Sequence, residues 1–271
     1  MATVLRDTPA PSRAPRRGAA LKHWIGLPGV APASLIVILV ALWELLVRVF
    51  EVPAFLLPAP SAIAQAAAAN WNVLMKHSAV TLTETLAGFA LSAAVGLLFA
   101  LVMVLWPVAG RAAFPLLVAS QVIPKVAVAP LMIVWIGTGV TTSSIIAFVM
   151  AFFPVVVNAA LGFKAVEEGS LHLLRSMRAT KWQQFRYLRF PTAVPYILSG
   201  LQLSIAFAIV GAIVGEFVGS NSGLGYLLIV AQGNLQTDLL FADLFVLTVL
   251  GLALYYGVEL LGRLASGRGR K

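Results

Sequence analysis

The stretch "SMRATKWQQFRYLRFPTAVP", residues 176–195, places basic and aromatic side chains between two long apolar tracts. Thr180 followed by Gln183 is the capping-box pattern that starts a helix. Pro191 is expected to close that helix, because proline interrupts helical hydrogen bonding and restricts the residue before it. The residues before position 178 also read as helical. The pattern therefore predicts two short helices joined by a turn at residues 178–180.

Three functions fit this basic and aromatic stretch: a nucleic-acid patch, an amphipathic helix on a membrane surface, or a docking surface for another protein. Trp182, Phe185 and Arg189 share one face of the second helix, at spacings of three and four residues. No recognisable nucleic-acid-binding motif accompanies them, which disfavours the first reading. The local pattern leaves the membrane-surface and docking readings open.

The composition of the whole chain places this stretch in a membrane protein. The 271 residues are 60% hydrophobic and 11% charged, with a mean hydropathy of +0.95. Soluble domains usually have about 45–50% apolar and about 25% charged residues. Several apolar runs exceed the roughly 20 residues that cross a bilayer as a helix. The chain contains no cysteine, which excludes disulfides, thiolate metal sites and cysteine nucleophiles.

The apolar runs predict an all-α integral membrane protein with six spans. Helices are favoured because the runs are continuous rather than alternating. The predicted spans are Val30–Phe50, Thr81–Trp106, Ala112–Ile136, Thr142–Phe163, Thr192–Val218 and Leu239–Leu261.

The distribution of basic residues predicts the orientation. With the N-terminus inside, sixteen of the nineteen Lys and Arg residues lie in the tails and inner loops. The positive-inside rule then places both termini in the cytoplasm. The predicted organisation is a disordered basic tail (1–29), a transmembrane domain (30–262) that carries the 163–191 loop, and a basic C-terminal tail (263–271).

The outer segments are predicted to hold local structure. "PAPS", residues 58–61, supplies a helix start after the first span, with Ser61 as the expected N-cap. The segment "GSNSGLGYLL", residues 219–228, carries turn residues after the fifth span.

The 163–191 loop resembles the cytoplasmic EAA loop of binding-protein-dependent ABC importer permeases, whose pattern is E-A-A-x3-G-x9-I-x-L-P. Leu188, Phe190 and Pro191 fall on its last elements. The same alignment puts Arg178 at the glycine and His172 at the start of the E-A-A triplet, so the first half departs from the pattern. A residue other than glycine lacks easy access to positive φ, so a different angle between the two helices is one expected consequence.

Four further stretches resemble the nitrate/sulfonate/taurine type of these permeases, in the same order along the chain. They are "FLLPAPSAIAQ" (55–65), "IPKVAVAPLMIVWIGTG" (123–139), "AFFPVVVNAALGF" (151–163) and "VGEFVGSNSGLGYLL" (214–228). The lysine in the second stretch and the later "GNLQTDLLFADL" are closest to relatives for thiamine-precursor pyrimidines or riboflavin.

The resemblance implies a type I, MetI-like permease fold in a bacterial inner membrane. It implies a homodimer, a pair of separate ATPase subunits that use ATP, and an extracytoplasmic substrate-binding protein. The chain itself is then a transport subunit without a cofactor and not an enzyme. The residues that the resemblance assigns to ATPase coupling are His172, Arg175, Ser176, Arg178, Thr180, Trp182, Phe185, Leu188, Phe190 and Pro191.

The residues alone show no catalytic set. The chain contains neither a G-x-x-x-x-G-K-[ST] phosphate loop nor an H-E-x-x-H zinc motif. Its three histidines are scattered over the tail and loops. An ATP-driven mechanism therefore requires an ATPase on another chain, and no metal site is predicted.

Four polar residues in or beside the spans are candidates for a solute path. Lys125 lies among the prolines 115, 124 and 130, which predict a broken helix lining a path. It faces a polar or anionic solute, pairs within the protein, or snorkels to a polar edge. Asn158 requires a polar partner in the bundle or the path. Glu216, with nearby Asn221, is either a gate or binding-protein contact or a carboxylate at the water interface.

Two alternatives remain beside the ABC permease. A self-sufficient secondary transporter or channel would be favoured by paired acidic residues inside spans and by an inverted repeat. Neither is recognised, because Lys125 is the most evident charge inside a span. A membrane enzyme would require clustered His, Asp or Glu near one interface, and no such cluster is recognised.

Overall fold

The computed structural model describes residues 30–265, and all their regular secondary structure is helical, as predicted. In chain order the helices are α1 (Val30–Val49), α2 (Pro60–Ala69), α3 (Trp71–Leu105), α4 (Pro107–Ser120), α5 (Lys125–Ile136), α6 (Val140–Lys164), α7 (Glu168–Ser176), α8 (Lys181–Gln184), a π-helical turn (Phe185–Arg189), α9 (Phe190–Gly219), α10 (Leu224–Gly233) and α11 (Thr237–Ala265). The predicted tails, residues 1–29 and 266–271, lie outside the described residues.

Four helical segments of the described chain are long and apolar enough to cross a membrane. They are α3, α6, the continuous segment Lys181–Gly219 and Thr237–Leu264 of α11. The pair α4 and α5 adds a fifth if its two helices form one span. These segments lie at the second to sixth predicted spans, and α1 lies at the first. The six-span count and the cytoplasmic termini stay predictions.

Helix α6 lies at the centre of the bundle, packed against α9 and α3. Small residues allow this close approach, since a bulkier side chain would hold the backbones apart. A Cβ atom on Gly211 of α9 would come within 2.6 Å of the Cα atom of Ala147 on α6. Gly215 meets Ser143 of α6 equally closely. The G-x-x-x-G pattern of α9 therefore packs within the chain.

The third predicted span is broken, as its prolines predict. Helices α4 and α5 are bent by 94° at the connection between Ser120 and Lys125. Pro124 immediately precedes α5 and supplies no N–H group to continue α4. Pro115 and Pro130 lie inside α4 and α5.

The helix predicted after the first span is present as α2, but the prediction that Ser61 is its N-cap is wrong. Helix α2 begins at Pro60, with Ala59 in the cap position, two residues earlier than a cap at Ser61 would place it. The Ser61 N–H and hydroxyl instead donate to the carboxylate of Glu44 in α1, at 3.0 and 2.8 Å. Arg48 pairs with the same carboxylate at 2.6 Å. A carboxylate of a neighbouring helix thus satisfies the first turn of α2.

Candidate functional site

The 163–191 loop contains the two short helices and the turn that the sequence predicts. Helix α7 precedes the turn and α8 follows it. The capping box is formed in both directions: the Thr180 N–H donates to Gln183 Oε1 at 2.7 Å, and the Gln183 N–H donates to Thr180 Oγ1 at 3.2 Å. The start of the second helix is therefore fixed by its own side chains.

Arg178 adopts the left-handed conformation that favours glycine. Its φ angle is +55°, and its N–H donates to the Arg175 carbonyl at 2.9 Å. The Ala179 N–H donates to the Leu174 carbonyl at 3.0 Å, which completes the Schellman closure of α7. The backbone of this turn therefore has the conformation that glycine adopts most easily. The left-handed conformation costs a non-glycine residue about 1–2 kcal/mol.

The prediction that Pro191 closes the second helix is wrong. The chain stays helical from Lys181 to Gly219, through the π-helical turn. In that turn the Phe190 N–H bonds the Phe185 carbonyl, five residues back. A wider turn relieves the clash between a proline ring and the preceding carbonyls. Pro191 occupies the first turn of α9, where its missing N–H is tolerated.

The aromatic residues of the second helix divide between the bundle and the solvent side. The Phe185 ring lies 5.6 Å from the Phe163 ring of α6 and 5.7 Å from the Trp182 ring, between centroids. Phe185 packs against the buried cluster around Phe163. Trp182 remains 66% exposed. Phe185 therefore contacts the bundle, whereas Trp182 lies on the outer surface.

The other residues expected to couple to an ATPase lie mostly on the surface of the loop. Leu188 is half-buried, and the exposed ones are His172, Arg175, Ser176, Arg178, Thr180, Phe190 and Pro191. All ten predicted residues lie in the continuous stretch from α7 to the start of α9.

At the opposite end of α9, Glu216 is buried, so the alternative of a carboxylate at the water interface is wrong. It is 1% exposed. The Thr81 hydroxyl of α3 donates to its Oε1 at 2.6 Å, and the Gly225 N–H of α10 donates to its Oε2 at 2.5 Å. Glu216 thus joins α3, α9 and α10.

The connection from α9 to α10 is held against α3 by further hydrogen bonds. The Leu224 N–H donates to Thr81 Oγ1 at 2.8 Å, and the Gly223 N–H donates to His77 Nδ1 at 2.9 Å. Gly223 has a φ of +105°, and a Cβ atom there would overlap the Glu216 carboxyl. The predicted turn is present, but it leads into the ten-residue helix α10, which the sequence analysis missed.

Two more fully buried carboxyl groups, those of Glu84 and Asp243, lie near Glu216. Glu84 of α3 faces Glu216 and Ser143, and Asp243 of α11 lies close enough to Glu216 for their charges to interact. Both are 0% exposed, and all four of their oxygens lack a hydrogen-bond partner among residues 30–265. Glu84, Glu216 and Asp243 are called the carboxylate layer below.

The sequence analysis missed the carboxylate layer. Paired or clustered acids were not recognised in the sequence, but Glu84 and Asp243, from two other helices, both interact with Glu216 in the bundle. Glu84 and Asp243 both fall inside predicted spans. An acidic residue within an apolar run is itself a signal of function. That signal could have identified each acid, although not their proximity.

The remaining path candidates are separate from the carboxylate layer. Lys125 is half-buried, with its Nζ 5.7 Å from the centre of the Phe153 ring. It lines a recess of about 330 Å³ between α4, α5 and α6. Asn158 finds its polar partner in its own helix, where its amide donates to the Pro154 carbonyl at 2.8 Å. Asn221 is exposed.

Comparisons with known proteins agree on one family. Residues 92–267 match the family described as "Binding-protein-dependent transport system inner membrane component". The chain is 35% identical to the riboflavin transport system permease protein RibX of Chloroflexus aurantiacus, over 86% of this chain and 87% of that protein. It is 34% identical to the formylaminopyrimidine transport permease protein ThiX of Halalkalibacterium halodurans, over 82% of this chain and 88% of that protein.

A solved structure shares the fold. The crystal structure of an amino acid ABC transporter with histidines superposes with a TM-score of 0.60 at 17% identity, covering 75% of this chain and 97% of that chain. At this identity the likeness concerns the fold alone. The family match, however, covers well over half of the chain. The chain therefore belongs to the binding-protein-dependent transport system inner membrane components, the permease components of ABC transporters.

Proposed function

We propose that this chain forms, with a second copy of itself, the path of an ATP-driven importer for a small polar or anionic solute. An extracytoplasmic binding protein delivers the solute, and separate ATPase subunits bind the 163–191 loop. Each copy crosses the membrane six times and has both termini in the cytoplasm. The observation that carries the proposal is the 163–191 loop, a helix–turn–helix that exposes large apolar side chains.

The exposed side chains of the loop support docking of an ATPase. Four large apolar residues lie on its surface with 63–70% exposure: Leu173, Met177, Trp182 and Tyr187. An exposed apolar patch with polar surroundings marks a protein contact. Aromatic anchors of this kind usually carry much of the binding energy.

Phe185 supports a route from the docked ATPase to the membrane bundle. Its ring lies between Trp182 on the surface and Phe163 at the end of α6. The helical segment continues from this point through α9 without interruption. A displacement of the loop is therefore passed to α6 and α9 as rigid elements.

The broken span supports a second copy as the covering partner. Helices α4 and α5 and the connection between them expose large apolar side chains, among them Leu116, Val122, Val134 and Trp135. A homodimer with these side chains at its seam would place the two broken spans around a common path. Broken helices are tolerated at membrane depth where they line a cavity or are buried in protein.

Lys125 is the residue that we assign to the path. Its recess also carries the polar side chains of Ser120 and Gln121 and the rings of Phe148, Phe152 and Phe153. A cation beside polar and aromatic groups suits a small anionic or polar solute. We assign Asn221 to contact with the binding protein, and Glu216 to holding α10 rather than to the path.

The names of the relatives narrow the class of solute. RibX and ThiX are named for riboflavin and formylaminopyrimidine transport. Other relatives are named for taurine and nitrate. We propose a solute from one of these classes. Thermal-shift measurements on the partner binding protein with flavins, pyrimidines, alkanesulfonates and nitrate identify which one.

The carboxylate layer favours a second candidate, an ion-coupled secondary transporter, because buried acids often mark ion pathways. One experiment separates the two. The chain is reconstituted in liposomes with and without its ATPase subunits, the loaded binding protein is supplied in every arm, and uptake is measured with ATP removed and then with ion gradients collapsed. The importer requires that uptake stops without ATP or ATPase subunits and survives loss of the gradients. The opposite pattern contradicts the proposal.

A further inference from the structure

A basic recess of about 480 Å³ lies where α3 ends and α4 begins, beside the end of α6 and the π-helical turn. Its charged lining consists of Arg111, Lys164 and Arg189. None of these three cations forms a salt bridge within residues 30–265. No acidic residue of the described stretch, 30–265, lines the recess. It therefore concentrates positive charge that the described part of the chain does not neutralise.

The three side chains are held at different points of the recess wall. One Arg189 N–H donates to the Phe163 carbonyl at 3.2 Å, which orients the guanidinium. Its remaining N–H groups make no other hydrogen bond within residues 30–265 and suit an oxyanion. The Lys164 Nζ lies 5.9 Å from the centre of the Phe114 ring. Arg111 is exposed.

The rest of the recess is apolar, which makes the site amphipathic. Met103, Val104, Gly110, Phe114 and two prolines complete the lining that residues 30–265 provide. Trp106, between α3 and α4, is 65% exposed, and tryptophan is enriched at the level of lipid headgroups. In the orientation proposed above, this level faces the cytoplasm. Basic pockets between helices on that side suit anionic headgroups.

We propose that this recess binds the phosphate group of an anionic phospholipid. The cations of Arg111, Lys164 and Arg189 contact the phosphate, and the partly exposed Phe114 and Val104 contact the glycerol and the first acyl carbons. A soluble phosphate offers the same oxyanion but nothing for the apolar wall. The lipid uses both halves of the recess.

The test uses the full chain with its ATPase subunits in nanodiscs of phosphatidylcholine with or without phosphatidylglycerol. Native mass spectrometry measures the phosphatidylglycerol retained. The double variant Arg111→Gln/Lys164→Gln is expected to retain about tenfold less or lower still. The matched control Lys181→Gln/Arg186→Gln removes two exposed charges outside the recess and is expected to retain lipid as the wild type does. Equal losses in both double variants would mean diffuse surface attraction and would overturn the proposal.

Two further experiments distinguish the lipid from soluble phosphate and from a protein contact in the recess. Phe114→Ser removes apolar contact and leaves the cations, so lipid retention should fall severalfold while the unfolding temperature confirms folding. If inorganic phosphate displaces phosphatidylglycerol, or if Phe114→Ser changes nothing, the ligand is soluble phosphate and the lipid proposal fails. If assembly with the ATPase subunits expels the lipid, the recess belongs to a protein interface, which also overturns the proposal.

Discussion

One helical segment, Lys181–Gly219, carries two regions of opposite character at its ends. At one end, Glu216 is enclosed, and both of its oxygens accept hydrogen bonds from other helices. At the other end, Trp182 leaves two thirds of its surface uncovered, at 66% exposure. The first region is completed by the chain itself. The second has its local geometry fixed but its apolar surface unpartnered, as expected of a docking element.

The two regions are stabilised in different ways. A carboxylate held by donors from α3 and α10 contributes to the folding free energy of the chain, because its loss leaves buried donors unpaired. An exposed tryptophan contributes little until a partner covers it. Since a 39-residue helical segment joins the two regions, movement at one end is transmitted along a stiff element.

The largest effect is expected from removing the centre of the enclosed region. Glu216→Ala leaves the Gly225 N–H without its acceptor and creates a cavity. It leaves the Thr81 hydroxyl only the His77 carbonyl, at 3.3 Å, in place of the shorter bond to Glu216. Because each buried unsatisfied group costs about 1–3 kcal/mol, we expect a loss of about 3 kcal/mol or more in the free energy of unfolding. Thermal unfolding in detergent measures it. Glu216→Gln keeps one acceptor and should lose less; an unchanged melting temperature for Glu216→Ala would show that the layer is not structural.

A smaller effect, on ATPase binding rather than on folding, is expected at the exposed end of the segment around Trp182. Trp182→Ala should weaken binding of the ATPase subunits by about 2 kcal/mol, roughly thirtyfold, because a central aromatic anchor is lost. The unfolding temperature should not change. Arg186→Ala, in the same helical segment and also exposed, should change binding by less than about threefold. Binding is measured by titrating purified ATPase into the reconstituted chain. Equal effects of the two variants would place the contact elsewhere.

Sequence reasoning predicted the features that depend on near neighbours. The capping box needs only Thr180 and Gln183, and the break between α4 and α5 follows from Pro124. The apolar runs predicted where the long helices lie. In each case the cause and the result lie within a few residues, so the pattern alone sufficed.

Sequence reasoning failed where distant groups decide the structure. Glu84, Glu216 and Asp243 lie on three helices, and only packing brings them together. Ser61 is a residue type that often caps helices, but its N–H and hydroxyl donate to the carboxylate of Glu44 in another helix. Proline interrupts most helices, but the π-helical turn before Pro191 allows this helix to continue.

The capping box offers a test of how far the exposed end is ordered by its own sequence. Thr180→Ala removes the acceptor for the Gln183 N–H and should cost the local helix about 1 kcal/mol. Amide hydrogen exchange at Gln183 should accelerate about fivefold, if the loop opens locally. Ser176→Ala, whose hydroxyl bonds only the His172 carbonyl of its own helix, serves as the control and should leave that rate unchanged. Equal acceleration in the control would mean that the loop frays as a whole.

The smallest effect is expected at the turn between α7 and α8. Arg178 holds a φ of +55°, which costs a residue with a Cβ atom more than it costs glycine. Arg178→Gly relieves this strain but adds backbone freedom to the unfolded loop, so a net gain on the order of 0.5 kcal/mol is expected. Exchange of the Ala179 amide, which donates to the Leu174 carbonyl, should slow about twofold. Arg178→Ala removes the charge and keeps the strain, so its exchange should not slow. If the alanine variant gains as much as the glycine variant, the guanidinium charge and not the backbone sets the stability of this turn.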